Sequence, residues 1–250
     1  LTEDDNYQES VITYQITVKN AADSGFGFED PNPVNRKYVK NDTYSNIASG
    51  GSGTGKVTYS ITSGNAATID KNTGELTINK AGTVEVTATR EADDKYAEIS
   101  VSYSLTIEKA EQDDFGFDVL SPENQFITND TYTNKATGGS GNGKITYSVK
   151  SGNEFANIKD SSSPVVTLTK VGGPVTIEAV KAEDDSYEEV SAEYTFYIIK
   201  SPQTEMNFET TEKTIVYSPD LTYRNPLHGG SGTGAVTYEI LSGDAATIDE

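Results

Sequence analysis

The sequence predicts an all-β chain of tandem antiparallel β-sandwiches, about seven strands to each. Three observations predict it. A pattern recurs with a period close to ninety residues. Apolar residues alternate with polar ones along short runs, and glycine-bearing turn signals separate those runs. No segment sustains a helical period.

The repeat is marked several times over. GGSGTG at 50–55 returns as GGSGNG at 138–143 and GGSGTG at 229–234. An acidic turn before a tyrosine appears as Asp4-Asp5-Asn6-Tyr7, Asp93-Asp94-Lys95-Tyr96 and Asp184-Asp185-Ser186-Tyr187. Tyr14, Tyr103 and Tyr194 keep the same step, as do Tyr44, Tyr132 and Tyr223. These markers divide the chain at 20/21, 109/110 and 200/201. Residues 1–20 read as the C-terminal part of a preceding repeat, 21–109 and 110–200 as two complete repeats, and 201–250 as the N-terminal part of a further one. The chain starts in mid-pattern, so its true N-terminus is expected elsewhere. Short linkers imply neighbours that constrain one another.

Strands follow from the period of two. Val57, Tyr59 and Ile61 alternate with Thr58 and Ser60, and Val84, Val86 and Ala88 share one face. In the last run Ile99, Val101, Tyr103, Leu105 and Ile107 alternate with serines, Thr106 and Glu108. The next copy repeats it with Val190, Ala192, Tyr194, Phe196 and Ile198. Ser63-Gly64-Asn65, Asn72-Thr73-Gly74 and Lys80-Ala81-Gly82 punctuate these runs as turns. The expected core is Tyr59, Ile69, Val84, Val86, Tyr103 and Leu105 in one repeat. In the other it is Tyr147, Ile158, Ile177, Tyr194 and Phe196. Phe26 and Phe28, with Phe115 and Phe117, follow short acidic linkers and are expected at the joints between repeats.

Val57-Thr58-Tyr59-Ser60, Ala66-Ala67-Thr68-Ile69-Asp70, Thr73-Gly74-Glu75-Leu76-Thr77 and the run from Lys80 to Ala88 resemble the core pattern of bacterial immunoglobulin-like domains. Such domains stand in tandem in intimin- and invasin-type proteins and in very large bacterial adhesins. The resemblance covers both complete repeats and the opening of the last, in Ala245-Ala246-Thr247-Ile248-Asp249. Repeat 110–200 departs from it at Ser161-Ser162-Ser163-Pro164, which fits a lengthened loop. The resemblance implies immunoglobulin-like sandwiches at a bacterial cell surface. As a guide to function it is weak, because one fold serves many proteins.

Composition narrows the function classes. Lys and Arg total 19 against 39 Asp and Glu, a formal charge of -20, which disfavours nucleic acid and anionic lipid as partners. Hydrophobic residues are only 34%, but 15 Tyr and 8 Phe argue against disorder. With no cysteine, disulfides and thiolate chemistry are excluded. No apolar run is long enough to form a membrane-spanning helix. The first ten residues, acidic and polar, do not read as a signal peptide.

Candidate chemistry is sparse. A phosphate-binding loop needs a Lys-Ser/Thr pair and a following helix, yet Gly55 leads into Lys56-Val57 and a strand. The one histidine, His228, has Ser49 and Thr137 as its counterparts, so no His-based triad recurs and no enzyme is expected. Carboxylates offer a sharper reading. Glu91, Asp93 and Asp94, and then Glu183, Asp184 and Asp185, are candidate calcium ligands, since calcium takes six to eight hard oxygens. Neighbouring loops or linker residues such as Asp23, Asp113 and Asp114 would complete the set. The alternative is a turn in which Asp caps backbone N–H groups while tyrosine packs on the sandwich. Lys19, Lys109 and Lys200 with Asn41 and Asn129 leave a Lys–Asn crosslink as a further alternative.

The functional expectation is therefore a spacer stalk in a long extracellular surface adhesin, with neighbouring repeats of the same chain as partners. Two other classes stay open: the body of an extracellular filament built from copies of the chain, and repeats that themselves bind a surface ligand or glycan.

Overall fold

The computed structural model describes residues 2–248. The first sandwich contains β1 (Phe26–Phe28), β2 (Arg36–Lys37), β3 (Thr43–Tyr44), β4 (Ala48–Gly50), β5 (Val57–Ser63), β6 (Ala67–Ile69), β7 (Leu76–Ile78), β8 (Gly82–Arg90) and β9 (Ile99–Glu108). One sheet has the order β2-β9-β8-β5, and the other is built from β3-β7-β6 with the pair β1-β4. Nine segments amount to seven strands, because two strands are interrupted. Pro31 and Pro33 separate β1 from β2; proline cannot donate to a ladder, and there the chain crosses from one sheet to the other. Between β3 and β4 the side chain of Asn46 substitutes for a strand. Its Oδ1 accepts from Asp30 N–H at 3.1 Å and its Nδ2 donates to Asp30 O at 2.6 Å. Asn134 and Asn225 make the same pair of bonds with Val119 and Thr210.

The second sandwich repeats the plan with β10 (Gly116–Phe117), β11 (Gln125–Phe126), β12 (Thr131–Thr133), β13 (Ala136–Thr137), β14 (Ile145–Ser151), β15 (Ala156–Asn157), β16 (Val165–Leu168), β17 (Gly172–Lys181) and β18 (Val190–Ile199). Its sheets, β11-β18-β17-β14 and β12-β16-β15 with β10-β13, match those of the first. Pairing is antiparallel with one exception per sandwich: β2 runs parallel to β9, and β11 to β18. A strictly antiparallel sandwich is thus corrected at one edge. The chain makes no hairpin between β1 and β2 but changes sheets, so β2 arrives beside β9 in the same direction. One turn of 3-10 helix, Ile127–Asn129, is the only helical segment among the described residues, and no helix there is long and apolar enough to cross a membrane. Later, β19 (Met206–Phe208) pairs with β20 (Leu227–Gly229). Residues 2–20 form no strand, and their apolar side chains, from Val11 to Val18, are exposed.

Period-two alternation builds the core. Val84, Val86 and Ala88 of β8 point inward beside Tyr103, Leu105 and Ile107 of β9, all buried. Val175, Ile177 and Ala179 meet Tyr194, Phe196 and Ile198 in the second copy. Ile69 and Ile158 are half-buried rather than fully buried, since Ile69 ends β6 and Ile158 follows β15, each a short strand at a sheet edge. The Tyr59 hydroxyl accepts from Ala48 N–H at 3.2 Å and ties the two sheets together; Tyr147 and Ala136 do the same. The phenylalanines after the linkers are corrected: they enter the sandwich, not the joint. Phe28 stands edge-on to Tyr103 at 4.6 Å, and Phe117 to Tyr194 at 4.5 Å. Phe26 is buried beneath the Arg90 guanidinium, 4.2 Å away.

Candidate functional site: the joint between repeats

One pole of each sandwich is made rigid by its glycine loop. Gly50 and Gly51 adopt φ of 76° and 73°, which L residues resist, and this turns successive N–H groups inward. Asp23, from the linker, fills that concavity. Its Oδ1 accepts from Ser52 N–H at 2.6 Å and Gly53 N–H at 3.1 Å. Arg90 donates to Asp23 Oδ2 at 2.8 Å and to Gly50 O at 2.8 Å. The Ser52 N–H foremost, and then the guanidinium, hold the Asp23 carboxyl below its usual range against the opposing effect of burial. In the second repeat Gln112 and Lys181 replace this ion pair. Gln112 Oε1 accepts from Gly141 N–H, and Lys181 donates to the carbonyls of Gly138 and Gly139 at 2.9 Å. Gln203 receives Ser231 and Gly232 N–H in the third copy.

The acidic turn is stapled to the same loop. Asp93 Oδ1 accepts from Lys95 and Tyr96 N–H at 2.8 Å, while Oδ2 takes Thr54 N–H at 2.6 Å. Asp184 mirrors this with Ser186, Tyr187 and Asn142. In residues 4–7, without a surrounding sandwich, Asp4 still caps Asn6 and Tyr7. The turn is therefore a local structure encoded by Asp and its two following N–H groups. The first residue of each repeat then bridges to it: Ala21 to Tyr96, and Ala110 to Tyr187.

Across the junction, that turn in repeat 110–200 seats against the far pole of repeat 21–109. Tyr38 and Tyr187 meet edge-to-face at 5.5 Å. Ala81 N–H donates to Asp185 O at 3.1 Å. Lys80 reaches Asp185 at 3.4 Å, Lys109 reaches Glu183 at 2.7 Å, and Lys37 reaches Glu188 at 3.8 Å. All three cations lie on one repeat and all three anions on the other. A cleft of about 400 Å³ remains between Lys80, Gly82 and Lys109 on one side and Asp185 on the other.

Four of the six carboxylates of the calcium reading have protein partners of their own. Asp93 and Asp184 are engaged by N–H donors that a cation would have to displace. Glu183 and Asp185 face lysines across the junction. Among the described residues no three acidic or histidine side chains gather where they could hold a metal ion. Lys109 pairs with Glu183 rather than with an asparagine. Sequence reasoning missed Tyr38, Lys37 and Lys80 as joint residues. It placed Asp23 only as an accessory calcium ligand and missed Gln112 and Gln203, which stand at the same position one and two repeats on.

Residues 39–101 match the family model described as bacterial Ig-like domain (group 2). The repeat at 21–109 is thus similar to a bacterial Ig-like domain. The matched segment runs from beside Tyr38 through β9's Val101 and so takes in the glycine loop, Lys80 and the acidic turn at 93–96. Repeat 110–200 has the same strand order and the same acidic-turn staple. No curated protein matches the chain. Similar solved structures include mouse cadherin-23 EC22–24, at 16% identity and a TM-score of 0.31, covering 69% of this chain and 63% of that one. Human protocadherin-24 EC1–2 is similar at 12% identity and a TM-score of 0.31, covering 74% of this chain and 100% of that one. The chain spans less than two thirds of the cadherin-23 structure.

The staples carry a pH dependence. The Thr54 N–H first, with those of Lys95 and Tyr96, holds the Asp93 carboxyl well below the usual range. At Asp184 burial pushes upward, and the N–H groups of Asn142, Ser186 and Tyr187 outweigh it. A depressed folded-state pKa gives stability that is present above the unfolded value, about 4, and is lost as pH falls toward the folded value. Thermal melts should therefore show a loss of Tm beginning below about pH 4. In the Asp93→Asn/Asp184→Asn variant, Tm should start lower and decline less over that interval.

Proposed function

We propose that these repeats are the stalk of a long extracellular bacterial surface protein, holding a binding domain away from the cell. The observation that carries this reading is the joint: a stapled, rigid turn of one Ig-like domain seated on the pole of the one before it. Such a heterologous contact repeats end to end instead of closing on itself. Length then grows with each repeat added. Strands of 10 residues, such as β9 and β18, make each sandwich roughly 35 Å long. Like charge along a chain of net -20 opposes sideways collapse. Nothing in this role requires a catalytic group.

Small-angle scattering of the 250-residue protein is the direct test. The expected profile is that of an elongated particle, with a cross-section matching one sandwich. A compact profile with the two sandwiches side by side would refute the stalk. In the intact surface protein, deleting whole repeats should reduce reach step by step and leave ligand specificity unchanged.

A further inference from the structure

Three of the contacts that join the two repeats are ion pairs, and their charges are sorted by pole. Lys37, Lys80 and Lys109 face Glu188, Asp185 and Glu183. All are partly open to water: the Asp185 side chain is 81% exposed, that of Glu183 66%, and that of Lys37 56%. Without net charge, Tyr187 and Ala110 pack against the hydrophobic core of repeat 21–109, Tyr187 edge-on to Tyr38, and Ala81 N–H donates to Asp185 O. The turn itself does not depend on these pairs, because Asp184 is held by N–H groups of its own repeat. Seating and folding are therefore separable.

We propose that this joint is a hinge controlled by ionic strength: seated in dilute electrolyte, released in concentrated salt, with both sandwiches folded throughout. The proposal rests on the stalk reading and adds its regulation. Exposed pairs are individually weak, and salt screens them over a Debye length of about 10 Å at 0.1 M and about 3 Å at 1 M. The three pairs lose most of their attraction across that range and leave the small apolar seat of Tyr187 and Ala110, whereas the buried strand ladders lose little. Outside the joint the chain is strongly acidic, so domains released from it repel each other at low salt and not at high salt. The sorted lysines offset that repulsion where the repeats meet. This opposes the general tendency of the chain and makes the salt response diagnostic.

The chain has no cysteine, so Ser60→Cys and Ser148→Cys place one label on an exposed strand position of each repeat. The distance distribution between two spin labels is then read at 20 mM and 1 M NaCl, with circular dichroism confirming the fold. The expected result is a narrow distribution at low salt and one broadened several-fold at high salt. Lys80→Glu should give the broad distribution at both salts, and adding Asp185→Lys should restore the narrow one at low salt. A distribution that stays narrow at 1 M, or that ignores Lys80→Glu, overturns ionic control and leaves the stalk standing. A wild-type distribution that is broad at every salt overturns the seated joint and the stalk reading with it. Calcium chloride at matched ionic strength should behave as sodium chloride does. Narrowing by calcium alone would overturn screening as the cause.

Discussion

Leu105→Ala or Phe196→Ala should cost its repeat about 3–5 kcal/mol, enough to remove most of the stability of a domain this size. Both side chains are buried, Leu105 at 0% and Phe196 at 2% exposure, each on a strand of 10 residues. Leu105 lies opposite Val84 on the neighbouring strand, and Phe196 opposite Val175, so truncation opens a cavity between the sheets that close packing cannot refill. Because each repeat has its own core, urea unfolding of Leu105→Ala should separate into two transitions. The earlier one belongs to 21–109, and repeat 110–200 should keep its midpoint. A single shifted transition would mean that the two sandwiches unfold as one unit.

Gly55→Ala and Gly143→Ala should be nearly as damaging, about 2–3 kcal/mol each, for a steric reason. A Cβ at Gly55 would lie 1.8 Å from Glu91 O, and one at Gly143 1.7 Å from Ala182 O. Those carbonyls belong to backbone fixed at the end of β8 and of β17 by bonds from Glu91 N–H to Lys56 O and from Ala182 N–H to Lys144 O. The loop would have to lift, pulling Thr54 from Asp93 or Asn142 from Asp184. Gly27→Ala and Gly116→Ala are the controls, since a Cβ at either position meets nothing within 4 Å. Thermal melts of all four variants decide the matter. Equal losses at the loop and control positions would rule out the close approach as the cause.

The strands and most of the core were legible because they depend on local alternation and on self-similarity. Tyr59, Tyr103, Leu105 and Phe196 could be placed inward from period two alone. The joint was not legible, because Tyr38 and Tyr187 lie in different repeats and nothing near either residue names the other. Proximity to the linker pointed to Phe26 and Phe28, yet the strand that carries them turns those rings into the sandwich. At the acidic turns the sequence displays the acceptors, Asp93 and Asp184, while their donors are backbone N–H groups with no sequence signature.

The parallel pairing of β2 with β9 has a mechanical consequence. The chain enters a repeat just ahead of β1 and leaves it at the end of β9, so tension along the chain pulls the edge strand β2 and its neighbour β9 in opposite directions along their own axes. A parallel pair loaded in this way is sheared, and its rungs share the load instead of opening one at a time as a pulled hairpin does. The rungs at Arg36 and Lys37, extended by Tyr38 N–H donating to Glu108 O at 2.8 Å, therefore yield together. Beside them stands Lys37, which also faces Glu188 of the next repeat. Tension that reaches this edge thus arrives at the strand whose next residue, Tyr38, forms the seat for the following domain.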